Sequence, residues 1–276
     1  VINEMPAQLA YYDTTSSYAA FVGQIVIFTG VLQSIGTAML LIVICGAGEV
    51  LYRERLPKQL AMPRIWTPKA LASKRVFLSL ILGYALVPAF IAYQVVFYLG
   101  ARKFGAWAPA EVPYDDLLNS ALPWVAVLFA GFFPAFSEEF LSRAFSIPIL
   151  QKLVRSRVTA IVVAGFIWGF GHSTYPNQPF WIRGVEVGIA GVVAGFLMDR
   201  FGLLPLLIWH YTIDAVYTAT LLFGSGNTYY IVSAAVASLV FAVPLVASIA
   251  LYLRNRGFVP DGDLSNSTMP VSPPLH

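Results

Sequence analysis

The sequence has 276 residues, of which 58% are hydrophobic and only 11% are charged. Soluble domains carry about 25% charged residues, so this composition, with a mean hydropathy of +0.72, excludes a water-exposed globule. The net charge of +3 is too small to indicate nucleic acid as a partner. The partner that the composition predicts is a lipid bilayer.

The apolar residues form seven runs, and each is predicted to be a helix through the bilayer. About 20 apolar residues are needed to cover a hydrocarbon core of about 30 Å. In chain order the runs cover residues 21–49, 76–100, 120–150, 158–175, 184–199, 203–223 and 228–253. The sequence therefore predicts an all-α fold, a polytopic transmembrane helical bundle with about seven to eight spans.

Three clusters of basic residues lie between or after these runs. They are the loop at 53–75, then Lys152, Arg155 and Arg157, and finally Arg254 and Arg256. Positive residues mark the cytoplasmic side of a membrane protein. Seven spans with the N-terminus outside place all three clusters on that side, which predicts a multi-pass protein of the cell membrane.

Composition also divides the chain. Residues 1–119 are expected to hold the N-terminal spans and the basic cytoplasmic loop, and residues 120–222 a core that carries the polar motifs. Residues 223–256 are expected to be the C-terminal span. Residues 257–276 are rich in Ser, Pro and other polar residues, and a segment of this kind is predicted to be disordered.

The glycines of the fifth run are spaced for close helix packing. Gly184 and Gly188 form one pair at i,i+4, and Gly191 and Gly195 form a second. Small residues at this spacing let two helix backbones approach each other. The sequence therefore predicts a tightly packed helix here, and it assigns no site role to Glu186 in the same run.

The third run contains the stretch FFPAFSEEFLSRAF, which places Glu138, Glu139 and Arg143 deep in the bilayer. A charge at the centre of a span costs about 2.5–3.5 kcal/mol on insertion scales. Glu139 and Arg143 are i,i+4 and are expected to pair on one helix face. Glu138 lies about 100° away on the helix and lacks this partner, which suits a general base or acid. Pro134 is predicted to kink the helix one turn earlier.

Two further apolar runs carry histidines. IWGFGHSTY places His172 at the end of the fourth run, and LLIWHYTIDAVY places His210 and Asp214 at i,i+4 in the sixth. A lone histidine in a span is more often a structural hydrogen-bonding residue, but ionisable residues on three separate spans indicate a functional site. A shared pocket requires a tilt, a kink or a shifted boundary, because the two histidines lie at different predicted depths.

A carboxylate beside a histidine can take a proton from water and so create a nucleophile for a peptide carbonyl. His210 is a candidate donor to the resulting oxyanion, and Asp214 either orients His210 or donates when protonated. The sequence lacks the HExxH motif of zinc peptidases, a GxSG serine motif, and a GxGD aspartyl motif within a span.

The three motifs resemble those of the CAAX-protease and bacteriocin-processing (CPBP, or ABI) family of intramembrane proteases. EExxxR corresponds to Glu138–Arg143, and FxxxH corresponds to Trp168–His172 with Trp in place of Phe. HxxxN, with Asp as a frequent variant, corresponds to His210–Asp214. The resemblance covers roughly residues 120–222.

The resemblance implies an intramembrane endopeptidase that cleaves a peptide or lipidated-protein substrate, such as a prenylated or leader peptide, in the cytoplasmic half of the membrane. Glu138 would activate water with help from His172, while His210 and Asp214 would form the oxyanion side. Glu139 and Arg143 would be a supporting pair. The family has been viewed both as metal-free and as zinc-dependent. The metal-free mechanism is favoured here, and Zn²⁺ held by Glu138, His172 and His210 is the alternative.

Two other classes of protein remain open at this point. A non-proteolytic immunity or scaffold protein of the same fold would use the same residues as a structural polar network. A proton-coupled transporter would use them as a proton relay, and it predicts inverted repeats with broken helices, for which the sequence shows no internal symmetry.

Overall fold

The computed structural model describes residues 1–108 and 115–269, with the side chains of 117–269 described in the second range. Among these residues the chain forms seven long helices, which match the seven predicted runs to within a few residues at most ends. In chain order they are α1 (Tyr18–Arg55), α2 (Lys74–Ala101), α3 (Pro123–Val154), α4 (Arg157–Phe170), α5 (Ile182–Phe201), α6 (Leu204–Gly224) and α7 (Thr228–Asn255). The prediction of an all-α helical bundle is confirmed.

Five of these helices, α1, α2, α3, α6 and α7, are long and apolar enough to cross a membrane. Helix α4 has 14 residues, which span only about 21 Å at 1.5 Å per residue. Helix α5 has the length but carries four charged residues. They are Arg183, Glu186, Asp199 and Arg200.

Helices α4 and α5 are held together by glycines. A methyl group on Gly169 would lie 2.3 Å from the backbone nitrogen of Gly188, and one on Gly165 would lie 2.6 Å from that of Val192. Backbone atoms at these distances leave no room for a side chain, so the predicted close packing of the glycine row is confirmed.

Helix α3 is broken two turns after its start. It runs as α-helix over Pro123–Phe129, restarts at Phe132–Glu138, continues as a π-helix over Glu139–Ser146 and ends as α-helix over Ile147–Val154. The kink predicted near Pro134 is found at residues 130 and 131, because proline has no amide hydrogen for the carbonyl of the residue four positions earlier. The π-helical turn is of a kind often found at functional sites.

The glycine in this break brings α3 onto α6. A methyl group on Gly131 would lie 2.5 Å from the carbonyl oxygen of Tyr211 and 3.0 Å from Cβ of Asp214. The absence of a side chain therefore allows the backbone of α3 to reach the helix that carries His210 and Asp214.

The N-terminal helices pack directly on the rest of the bundle. Gly48 of α1 approaches the backbone of Phe140 in the π-helical turn, and Gly83 of α2 approaches Ile208 of α6. Buried side chains of both helices, including Tyr52 and Leu80, belong to the main hydrophobic core. Helices α1 and α2 thus share a core with the segment that carries the motifs.

The chain after α7 differs from the predicted disordered tail of residues 257–276. Within residues 258–269 Leu264 is 3% and Asn266 is 2% exposed, and Asn266 donates to the carbonyl of Leu56 at 2.9 Å. The polar residues find partners in the exposed backbone of the loop after α1, which a composition argument does not detect. The rest of the predicted tail, residues 270–276, lies outside the described residues.

Candidate active site

Glu138 lies at the centre of the three predicted motifs. Its Oε2 atom is 3.7 Å from Nε2 of His172 and 3.9 Å from Nε2 of His210, and its side chain is 31% exposed. It also accepts a hydrogen bond of 2.5 Å from the indole Nε1 of Trp168. The two histidines were predicted at different depths in the bilayer. They meet at Glu138 because α3 is broken and because α4 ends at Phe170, before His172.

Glu139 and Arg143 form the predicted ion pair. Nη1 of Arg143 is 3.2 Å from Oε1 of Glu139, and the two side chains are 1% and 0% exposed. The same carboxylate oxygen is 2.7 Å from Nδ1 of His210. Because a carboxylate accepts hydrogen bonds, Nδ1 of His210 carries the proton, and the buried carboxylate fixes the orientation of this ring.

His172 lies in the turn directly after α4, and its ring is fixed by its own helix. Nδ1 is 3.0 Å from the carbonyl oxygen of Trp168, so this nitrogen donates its hydrogen to the carbonyl. In the neutral ring Nε2 then carries a lone pair and faces Glu138. His210 has the same arrangement, so both imidazoles turn Nε2 towards one carboxylate oxygen.

Asp214 lies on the Nε2 side of the His210 ring, whereas Glu139 lies on the Nδ1 side. The Oδ2 atom of Asp214 is 3.9 Å from Nε2 of His210, and the side chain of Asp214 is 29% exposed. The Nδ1 atom of the ring is hydrogen-bonded to Glu139, and the orienting role considered for Asp214 stays a prediction. Asp214 faces the same space as Glu138 and the two Nε2 atoms.

A groove leads from this site along the gap between α3 and α4. The cavity measures about 470 Å³ and is lined at one end by Glu138 and His172 and further along by Ser142 and Ser146. At its rim Leu141 is 45% and Ile167 is 63% exposed. The site is therefore open to the surroundings of the bundle on the side between these two helices.

The zinc alternative can be tested against the geometry. One carboxylate and two imidazoles are donors that zinc accepts, and ligand atoms about 2.0–2.2 Å from one zinc ion lie roughly 3.3–3.6 Å apart. The separations of 3.7 and 3.9 Å are wider. No group of three or more His, Cys, Asp or Glu side chains has the spacing to hold a metal ion in the described parts of the chain. The donor types fit zinc, whereas their spacing does not.

The sequence motifs predicted all six of these polar residues, but they did not indicate the contact of Trp168 with Glu138 or that of Glu139 with His210. They assigned no role to the indole of Trp168, and they paired Glu139 with Arg143 alone. The indication was present for Trp168, since a tryptophan stands where the motif usually has phenylalanine and only tryptophan carries an N–H. The contact of Glu139 with His210 joins residues 71 positions apart, and the spacing along one helix could not show it.

Two comparisons found known proteins that are similar to part of this sequence. Residues 120–216 match a family model described as type II CAAX prenyl endopeptidase Rce1-like. A stretch of 74 residues is 30% identical to the sporulation-killing factor biosynthesis protein SkfC of Bacillus subtilis (strain 168). That stretch covers 27% of this chain and 15% of SkfC, so the chain matches only a small part of this relative. No solved structure matches the chain.

The matched segment contains all three motifs and the whole of the candidate site. Over these residues the chain is similar to type II CAAX prenyl endopeptidases. The chain is a multi-pass membrane protein, in which ionisable side chains from α3, from α6 and from the turn after α4 lie around Glu138.

Proposed function

We propose that this protein is an intramembrane endopeptidase that hydrolyses a peptide bond of a membrane-associated substrate through water activated by Glu138. One observation carries the proposal: Oε2 of Glu138 lies 3.7 and 3.9 Å from the Nε2 atoms of His172 and His210. These separations are too long for direct hydrogen bonds. They leave the carboxylate and the imidazoles free to contact one shared water molecule from the open side of the site.

In the first step Glu138 accepts a proton from this water while Nε2 of His172 accepts its second hydrogen bond. The oxygen of the water then attacks the carbonyl carbon of the substrate. A new C–O bond forms and the carbonyl oxygen becomes an oxyanion. Holding the water between two fixed acceptors converts a bimolecular attack into one within a complex, which is a major source of catalytic rate.

The oxyanion needs hydrogen-bond donors, and His210 supplies one from Nε2 when both ring nitrogens are protonated. The carboxylate of Glu139 at Nδ1 is then its counter-charge, with Arg143 balancing the carboxylate in turn. Protonated Asp214 supplies a second donor, because an ionised carboxylate would repel the oxyanion. When the intermediate collapses, the C–N bond breaks and the proton held by Glu138 passes to the leaving amine.

The groove between α3 and α4 supports a substrate that reaches the site from within the membrane. Its exposed apolar rim fits an apolar or lipidated segment, and Ser142 and Ser146 in its wall offer hydrogen bonds to an extended backbone. A prenylated peptide and a leader peptide both meet this description.

Asp199 at the end of α5 is paired with Arg55 and Arg157, which belong to the basic clusters. His210 lies on the second turn of α6, soon after this end of α5. This placement supports a site in the cytoplasmic half.

The test compares membrane peptides from cells that express the wild-type protein with those from cells that express Glu138→Gln. We expect new peptide termini only with the wild type, because glutamine cannot accept the proton. Glu54→Gln, the same change at an exposed position outside the site, serves as the control and should leave the termini unchanged. If Glu138→Gln generates the same termini as the wild type, Glu138 is not the base.

The same purified proteins decide between water activation by Glu138 alone and a zinc site. The metal content of wild-type protein is measured, together with cleavage of the identified peptide after treatment with a chelator. We expect no stoichiometric zinc and full activity. One zinc ion per chain that disappears in the His172→Ala variant would instead support the zinc alternative.

A further inference from the structure

Trp168 contacts four polar residues of the candidate site, although the proposed mechanism gives it no role. Its indole N–H donates to Oε2 of Glu138 at 2.5 Å, and its carbonyl accepts from Nδ1 of His172. The guanidinium carbon of Arg143 lies 3.8 Å from the centre of its ring. The ring of His210 lies 5.9 Å away in an edge-on arrangement.

One of these contacts, the hydrogen bond to Glu138, belongs to the indole alone. A phenylalanine ring at this position would keep an aromatic face for Arg143 but would have no hydrogen to donate to Glu138. Tryptophan also offers the strongest aromatic face for a cation. Arg143 is ion-paired with Glu139 through Nη1, but neither Nη atom has a hydrogen-bond partner among the described residues, so the face of Trp168 adds a second contact to this charge.

A glycine of α5 leaves room for the indole of Trp168, which is larger than a phenylalanine ring. A methyl group on Gly191 of α5 would lie 2.9 Å from Cε3 of Trp168, so any side chain at that position would push the indole out of place. Trp168 itself is only 9% exposed. The glycine row of α5 therefore does more than bring two backbones together, since Gly191 accommodates the side chain that contacts Glu138.

We propose that Trp168 is a positioning residue that sets the orientation of the Glu138 carboxylate. The N–H of the indole holds Oε2 towards the two imidazoles, and the ring face keeps Arg143 on Glu139, so that Glu138 remains free to take a proton. This inference rests on the proposed function, because positioning matters only if Glu138 acts on a substrate.

The orientation of the Glu138 carboxylate is expected to affect the rate of peptide cleavage rather than the binding of the substrate. A hydrogen bond to a charged group is stronger than one between neutral groups, and it is enough to select one rotamer of the partly exposed Glu138 side chain. Without it the carboxylate can turn away from the water or towards Arg143. The groove residues that would contact the substrate are not changed by this rotation.

The first test replaces Trp168 by phenylalanine in the full-length protein and measures cleavage of the identified peptide. We expect kcat to fall by roughly 10–100-fold, as for other losses of orientation at a reacting group, with KM within about threefold of the wild-type value. Trp209→Phe is the matched control. Trp209 is also buried and lies beside His210, but its Nε1 has no hydrogen-bond partner among the described residues, so its kcat should stay within about twofold.

A second variant separates the hydrogen bond from packing. The amino acid β-(3-benzothienyl)alanine has the shape of tryptophan with sulfur in place of the N–H, and at position 168 it should lower kcat as much as phenylalanine does. Normal kcat in the benzothienyl protein overturns the inference, and so does normal kcat in a correctly folded Trp168→Phe protein.

The last measurement does not depend on proteolysis. The carboxylate stretching bands of Glu138 are identified in the infrared difference between the wild type and Glu138→Gln, and the benzothienyl substitution should shift them. Unshifted bands overturn the inference. If the wild-type protein cleaves no peptide, the proposed function fails, while these bands still show whether the N–H of Trp168 holds Glu138.

Discussion

At the scale of single residues, adjacent carboxylates in one helix have different environments. Glu139 is 0% exposed and shares one oxygen between Arg143 and His210. The side chain of Glu138 is 31% exposed, and among the described residues its ion-pair partners within 4 Å are the two histidines, His172 and His210. Burial of a charge is tolerated only when it is paired and hydrogen-bonded. Glu139 meets this condition, and Glu138 is left available for chemistry.

The pairing of Glu139 predicts a strong effect on stability when its partner is removed. Arg143→Met should lower the free energy of unfolding by about 3–5 kcal/mol, because it leaves a buried charge uncompensated. The double variant Glu139→Gln/Arg143→Met should lose less than the sum of the two single variants. Denaturant unfolding of the purified protein in detergent measures all three.

A control for these Glu139 and Arg143 variants lies on the same helix. Lys152 is exposed near the end of α3, and Lys152→Met removes a positive charge without leaving a buried partner, so its effect should be below about 0.5 kcal/mol. Additive effects of the Glu139 and Arg143 changes would contradict a direct pair.

A second buried ion pair lies in α5. Glu186 is 0% exposed and pairs with Arg183, and it accepts a hydrogen bond of 3.1 Å from Gln94 of α2. Tyr217 of α6 donates to the same glutamine. These contacts link three helices, so the structure supports a packing role for Glu186, and the absence of Glu186 from the predicted site stays a prediction.

At the scale of helices, the hydrophobic runs predicted all seven helices, because long apolar segments in a membrane have few alternatives to helix. They could not show where a helix breaks within a run. The residues after Phe170 continue as Gly-His-Ser, and the run was expected to reach 175 because glycine and histidine are tolerated in apolar helices. The earlier end places His172 in a turn, where its side chain reaches Glu138.

The sequence predicted which residues belong to the candidate site, but it predicted few of the contacts between them. The spacing of Glu139 and Arg143 fixed one contact, since residues at i,i+4 share a helix face. The contacts of Glu138 with residues on two other helices depend on how α3, α4 and α6 pack. No local pattern encodes that packing, and only the resemblance to a family indicated it beforehand.

The packing of α4 on α5 predicts that Gly169 cannot be enlarged. Gly169→Ala would place a methyl group 2.3 Å from backbone atoms of Gly188, and backbone cannot move away as a flexible side chain can. The two helices must separate, which should cost about 1–3 kcal/mol of stability and displace the neighbouring Trp168. Thermal unfolding and peptide cleavage are the measurements.

Gly36 of α1 provides the matched control for this substitution. It lies inside a helix with nothing within 4 Å of an added methyl group. Gly36→Ala should be neutral or stabilising by up to about 1 kcal/mol, through the higher helix propensity of alanine. Equal effects of the two changes would show that α4 and α5 are not in close contact.

At the scale of the whole molecule, residues 258–269 act as a strap that joins the end of α7 to the loop after α1. Ser267 donates its backbone N–H to Pro57, and the amide of Ala61 donates to Leu264. Lys69 and Asp263 form an exposed ion pair at 2.8 Å. The C-terminal end of the described chain is therefore connected by backbone hydrogen bonds to the loop between α1 and α2, at the basic face of the bundle.

Two kinds of contact hold this strap, and their magnitudes differ. Asn266 is 2% exposed, and removing its side chain leaves the buried carbonyl of Leu56 without its donor, at a cost of about 1–3 kcal/mol. Exposed ion pairs contribute about 0–1 kcal/mol. Asn266→Ala should therefore open the strap much more than Asp263→Asn, which hydrogen exchange of the amides at 258–269 measures directly.

The ion pair gives the strap a weak dependence on pH with a defined sign. Hydrogen bonding to Lys69 lowers the pKa of Asp263 below its ordinary value of 3.8. A carboxyl whose folded-state pKa is lowered stabilises the folded form at pH above its ordinary pKa, and this contribution is lost as the pH falls through the lowered value. Protection of the strap amides in the wild type should thus be constant near neutrality and decrease below about pH 4. Asp263→Asn should remove that decrease while leaving the protection by Asn266 intact, and an unchanged acid dependence in this variant would mean that another group holds the strap.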